Sequence, residues 1–210
     1  MRHIGTDRQA LAIAIAVLAG YVDAIGYVAS GGFFVSFMSG NSTRLGVGLA
    51  RAPFAAMLAG GLILSFLAGV IACSTMRMRW RFGAGAVMTG VALLIAVAAG
   101  TAPFVRPYFV LLPVAAAMGM VNLVFETEGE VRFGLTYMTG TLVKLGQGIA
   151  RALTGADRMG WLPFLLLWAG LVVGGVAGVF AWLGLGPLAL WIAAGWAAAL
   201  CWPLARMERV

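Results

Sequence analysis

A single histidine and two cysteines among 210 residues leave little with which to ligate a metal or build a disulfide framework. His3 lies in the N-terminal tail. Cys73 and Cys201 are far apart in apolar stretches, where a free cysteine behaves as a small buried hydrophobe. Acidic residues are scarce as well, seven against fourteen Lys and Arg. Asp23 alone lies well inside a long apolar segment, so no second intramembrane carboxylate completes an acid/base pair. Neither a Walker sequence nor a dinucleotide fingerprint occurs. These absences argue against an enzyme, against a bound cofactor and against ATP-driven transport by this chain alone.

Charge of either sign is thin too, at 10% of residues, where a water-soluble domain carries roughly 25%. In its place are 62% hydrophobic residues and a mean hydropathy of +1.00. Several runs of about 18 or more residues are almost free of charge, enough to cross roughly 30 Å of hydrocarbon as helix. A β-barrel would alternate apolar and polar residues, and GVALLIAVAAG and LVVGGVAGVFAW do not. Thirty glycines suit helices that pack closely in lipid. The formal charge of +7 is scattered between the apolar runs rather than gathered on one face, which argues for topology signals and against nucleic acid. The expectation is an all-α integral membrane protein whose surroundings are the lipid bilayer. MRHIGTDRQ and the apolar run after it resemble a secretory signal, but the run continues to Ala29 and its residues recur later, so it reads as the first transmembrane helix.

That recurrence is the main internal signal. FMSGNSTRLGVGLAR, residues 37–51, overlies YMTGTLVKLGQGIAR, residues 137–151, with Met, three Gly, Leu, Ala and Arg identical. Upstream, Gly20, Val22 and Asp23 match Gly119, Val121 and Asn122. Downstream, Gly61, Leu62, Ser65, Ala68 and Gly69 match Gly170, Leu171, Gly174, Ala177 and Gly178. Two homologous halves follow, 1–103 and 104–210, forming one membrane domain. Helices are expected over about 10–30, 33–51, 53–75 and 83–101 in the first half, and about 107–126, 133–152, 160–182 and 186–204 in the second.

The second element of each half decides the topology. If it spans, there are eight crossings and parallel repeats; if it enters and returns, there are six crossings and inverted repeats. Six crossings with a cytoplasmic N-terminus put Arg2, Arg8, Arg77, Arg79, Arg81, Arg132, Arg151, Arg158, Arg206 and Arg209 inside, leaving mainly Arg51 and Arg106 outside. A helix from Gly40 to Arg51 is only about 17 Å long, half a bilayer. Six transmembrane helices plus two re-entrant half-helices is the favoured topology, in a bacterial inner membrane with both termini cytoplasmic.

Ser39, Gly40 and Asn41, with Thr139, Gly140 and Thr141 opposite, have the composition of capped helix starts. Two such starts meeting near the midplane aim positive dipole ends inward, which suits an anionic group, and Arg44 and Lys144 lie one turn further on. The competing reading gives the small residues to helix packing and lets Arg44 and Lys144 snorkel. Asp23 is a functional candidate because an ionisable group at that depth is costly, or else a buried partner for Arg44. Its counterpart Asn122 cannot titrate. Tyr27 shares the helix face of Asp23 and offers a hydroxyl, or fills the core. Glu126, Glu128 and Glu130 read as a solvated loop.

GYVDAIGY, FVSFMSGNSTRLGVGLA, MGMVN and TYMTGTLVKLGQGIA together resemble the YoaK family of small multi-pass bacterial membrane proteins, a domain of unknown function, over nearly the whole chain. That family usually has Thr-Gly-Asn where Ser39, Gly40 and Asn41 stand, a departure that keeps the hydroxyl. The resemblance implies about six transmembrane helices in the cytoplasmic membrane and no particular substrate. On the residues themselves, the leading expectation is a secondary transporter or channel for a small solute. The alternative is a non-transporting scaffold, sensor or partner subunit, and a homo-oligomer stays open in both.

Overall fold

The computed structural model describes residues 6–127, 130–131 and 138–207, and within them the regular elements are helices apart from one small hairpin. Eight α-helices follow in order: α1 Thr6–Ser30, α2 Met38–Arg51, α3 Pro53–Trp80, α4 Ala84–Thr101, α5 Pro107–Val121, α6 Met138–Leu153, α7 Leu162–Leu185 and α8 Ala189–Met207. Pro53, Pro107 and Pro163 fall in the first two positions of α3, α5 and α7, where the missing N–H has no helical partner to lose. Gly186, at φ +56°, ends α7 in a backbone region that costs glycine little and leads through a short 3-10 turn into α8.

Four stretches are long and apolar enough to cross a membrane: 7–30, 53–80, 84–101 and 162–207. The last holds both α7 and α8, and α5 is a shorter apolar helix, giving six apolar helices beside the more polar α2 and α6. The expected boundaries hold within a few residues except at three places, the first being α3, which runs on to Trp80 rather than ending near 75. α5 ends at Val121 rather than near 126, because the chain turns at 122–125 into a hairpin pairing Glu126 with Val131 and Thr127 with Glu130. α2 begins at Met38 rather than 33, after an irregular segment. The expected start of the sixth element at 133, together with Glu128, Arg2, Arg132 and Arg209, lies outside the described residues.

Glycines fix the packing. An added Cβ on Gly69 would meet the Ala116 carbonyl oxygen at 2.0 Å, and one on Gly119 the Phe66 carbonyl at 2.2 Å, so α3 and α5 touch backbone to backbone. Gly174 against Val17 and Gly178 against Tyr21 do the same for α7 and α1. Register gives direction. Gly61 faces Tyr108, Ser65 donates to the Leu112 carbonyl at 2.6 Å and Gly69 faces Ala116, so α3 and α5 run parallel. Val17–Gly174 and Tyr21–Gly178 make α1 and α7 parallel as well. By contrast Gly85 faces Ala205, Thr89 faces Cys201 and Gly100 faces Trp191, so α4 and α8 are antiparallel.

One apolar recess collects Ala29, Ala102, Pro107, Trp182 and Pro187, that is, the C-terminal ends of α1, α4 and α7 and the start of α5 and α8. Helices α1, α4 and α7 therefore run one way and α3, α5 and α8 the other. The fully buried side chains Ile15, Leu18, Val22, Met88, Ile95, Leu111, Met118, Leu190 and Leu204 place the core among α1, α4, α5 and α8, with Leu62 of α3. The shorter α2 packs on α3, and α6 on α7.

Candidate functional site

The site in the first half starts from a chain reversal. Gly31 at φ +72° and Gly32 at φ +116° close α1, with the Gly32 N–H on the Tyr27 carbonyl at 2.7 Å. The Ser30 hydroxyl donates to the Gly26 carbonyl at 2.6 Å and accepts from the Phe33 N–H at 2.9 Å. Residues 33–37 then run back alongside α1. Asp23, seven residues before the end of α1 and so roughly 10 Å in from that end, receives them. Its Oδ1 accepts from the Val35 N–H at 2.7 Å and the Ser36 N–H at 2.8 Å, with the Ser36 hydroxyl and the Phe37 N–H also bonding to the carboxylate. Irregular backbone exposes N–H groups that lipid cannot satisfy, and here one carboxylate gathers them.

Asn41 completes the segment from the other side. Fully buried, it accepts from the Phe34 N–H at 3.0 Å and donates to the Phe34 carbonyl at 2.7 Å, imitating a strand partner with one side chain. Gly40 leaves room for rings, since an added Cβ would lie 2.5 Å from Phe37 and 3.0 Å from Phe34. Those rings meet edge to face at 5.2 Å, and Tyr27, half exposed, tilts against Phe34 at 5.1 Å.

Two expectations change. Ser39 does not cap α2: the helix begins one residue earlier, Phe37 occupies the cap position without a side-chain bond, and the exposed Ser39 sits in the first turn with its carbonyl accepting from Thr43. Nor does Arg44 pair with Asp23. Its guanidinium lies over the Phe33 ring at 4.9 Å and beside Gly32, bracing the turn, while backbone N–H groups satisfy the carboxylate.

Register shows how far α2 reaches. Gly48 faces Ala56 and Leu45 faces Gly60, so α2 runs antiparallel to α3. Extrapolated at 1.5 Å per residue, its first turn stands beside α3 roughly 15 Å above the α2–α3 junction, about half the hydrocarbon thickness.

In the second half, Asn122 follows the last residue of α5 and donates to the Met118 carbonyl at 2.9 Å. The segment matching 33–37 lies outside the described residues. Thr139 and Lys144 on α6 are exposed, and Gly140 and Thr141 are half-buried. Asp23, Tyr27, Gly40, Asn41 and Arg44 thus surround one segment, whereas the second-half residues belong to α5 and α6. The packing of α2 on α3 and of α6 on α7 has no comparable counterpart between α2 and α6. Phe33, Phe34, Val35 and Ser36 were missed in the sequence because they act through backbone groups. The Gly31–Gly32 pair followed by two phenylalanines was the available signal.

A family described as "Protein of unknown function (DUF1275)" matches residues 11–202. The chain is also similar to UPF0700 transmembrane protein RA0705 of Rhizobium meliloti (strain 1021), 38% identical over 183 residues covering 87% of this chain and 80% of that protein. No solved structure matches.

Proposed function

Since the chain belongs to the DUF1275 family and is an all-helical membrane protein, we propose that it is a small-solute secondary transporter or channel of the bacterial inner membrane. Its two halves are inverted repeats, and α2 and α6 are re-entrant half-helices. Exchanging the halves turns the α1–α7 pair into α5–α3 and the α2–α3 pair into α6–α7, and leaves α4–α8 paired with itself. A self-exchanged pair that is antiparallel needs a twofold axis across the helices, in the membrane plane. The observation that carries the reading is the segment 33–37 folded back onto Asp23, which starts α2 near half depth. Nonhelical backbone at that depth is tolerated where it is buried or lines a water-filled path. The solute meets α2 along its exposed Ser39, Ser42 and Thr43 side. The exposed Lys144 on α6 favours an anionic group. Arg8, Arg77, Arg79, Arg81, Arg151, Arg158 and Arg206 fall at one end of the bundle and Arg51 and Arg106 at the other, which supports a cytoplasmic N-terminus.

An uptake screen in proteoliposomes with small organic and inorganic anions tests the proposal. Uptake of at least one solute, reduced by Ser39→Leu or Lys144→Gln, is expected; no flux of any kind contradicts it. A second reading, a non-transporting scaffold or partner subunit, is favoured by Asp23 and Asn41 bonding to backbone and by the rings over Gly40. A stoichiometric partner on purification, with no flux, supports that reading instead.

A further inference from the structure

We infer that the ends of α3 and α8 form a binding site for the headgroup of an anionic phospholipid. Arg79 and Arg81 close α3, and Arg206 stands in the last turn of α8; all three are exposed. The α4–α8 contact joins them. Gly85, four residues after Arg81, has room only for its hydrogen, with Ala205 Cβ 2.7 Å from where a Cβ would stand and the Cys201 carbonyl at 2.9 Å. Residues 53–101 and 189–207, which make up α3, α4 and α8, contain no acidic side chain. Arg77, beside them, is held inward by the Leu123 carbonyl and so leaves the outer face to Arg79, Arg81 and Arg206.

Two further observations mark the place. Arg81 has φ +50°, and among the described residues it alone holds a positive φ without being glycine. A helix ending of this kind is ordinarily given to glycine, so an arginine there keeps a strained backbone together with a directed charge. Trp80 and Trp202 are both 63% exposed, as at a headgroup boundary, and Arg206 stacks on Trp202 at 3.6 Å from the ring centroid, which fixes its direction. The fixed Arg206 guanidinium, with the exposed Arg79 and Arg81 and two exposed indoles at the same end, fits a phosphodiester that carries its own acyl chains. The inference needs only a membrane location and is independent of whether the protein moves a solute.

The test measures phosphatidylglycerol retained by the detergent-purified protein, by native mass spectrometry, against phosphatidylcholine. Each cation near such a surface is worth about 1 kcal/mol, so Arg206→Gln weakens phosphatidylglycerol binding roughly fivefold, and the double variant with Arg81→Gly roughly 25-fold. Arg81→Gly relieves the backbone strain, so it lowers lipid retention while thermal stability stays level or rises, which separates binding from folding. Arg158→Gln, on another part of the same end, leaves binding unchanged. Equal retention of phosphatidylcholine, or an equal loss with Arg158→Gln, overturns the site and leaves only a general positive rim.

Discussion

The Asp23 carboxylate accepts a hydrogen bond from the Val35 backbone N–H at 2.7 Å, tying the last third of α1 to a segment that reaches it only after the chain has reversed at Gly31 and Gly32. This bond and its neighbour to Ser36 satisfy backbone N–H groups that the irregular segment leaves without helical partners. The carboxylate is therefore structural whatever else it does.

Removing it separates structure from transport. Asp23→Ala leaves the Val35, Ser36 and Phe37 N–H groups without their acceptor and is expected to cost stability in detergent, at about 1–3 kcal/mol for each group left unpaired. Asp23→Asn retains a carbonyl oxygen and loses far less. Unfolding curves that coincide for wild type and Asp23→Ala would show that the segment is held by something else.

The Phe34 clamp predicts an asymmetry between similar side chains. Asn41→Asp keeps an acceptor for the Phe34 N–H but brings a second acceptor against the Phe34 carbonyl, at a cost of roughly 1–3 kcal/mol. Asn41→Gln misplaces both bonds. Thermal unfolding should rank wild type above either variant.

Small residues in this chain are not equivalent. Gly69→Leu and Gly178→Leu drive side chains into the backbones of α5 and α1, and folded yield should fall sharply. Gly46 has open space around it, so Gly46→Ala should fold with its stability changed by less than about 1 kcal/mol. Comparable yields across the three would mean that the α3–α5 and α1–α7 approaches are not tight.

Orientation is checked by cysteines placed at the two ends in a background lacking Cys73 and Cys201. A membrane-impermeant thiol reagent added to intact cells should label Arg106→Cys and spare Arg79→Cys. The reverse pattern would invert the assigned topology.

Much of the architecture was legible because lipid permits few alternatives. Long uncharged runs had to be helices, and Pro53, Pro107 and Pro163 mark starts that the structure keeps. The glycines at helix contacts were visible too, because backbone approaches such as those at Gly69 and Gly178 leave no room for a side chain. The partners of Asp23 were not visible, since backbone N–H groups belong to every residue and leave no trace in composition. Charge complementarity suggested Arg44 for Asp23, yet the turn at Gly32 and the ring of Phe33 draw the guanidinium elsewhere. Ser39 looked like a cap from its type alone, but the helix starts at Met38 and Phe37 takes the cap position, two residues earlier.

The central claim is that α2 begins near half depth and that its exposed side faces water. Ser39→Cys and Leu64→Cys test it directly, since the register of α2 on α3 puts the two at similar depth and both positions are exposed on the protein surface. A small charged thiol reagent should modify Ser39→Cys in proteoliposomes and leave Leu64→Cys, facing lipid, unreacted. Ser39→Cys as inert as Leu64→Cys would contradict an aqueous path along α2.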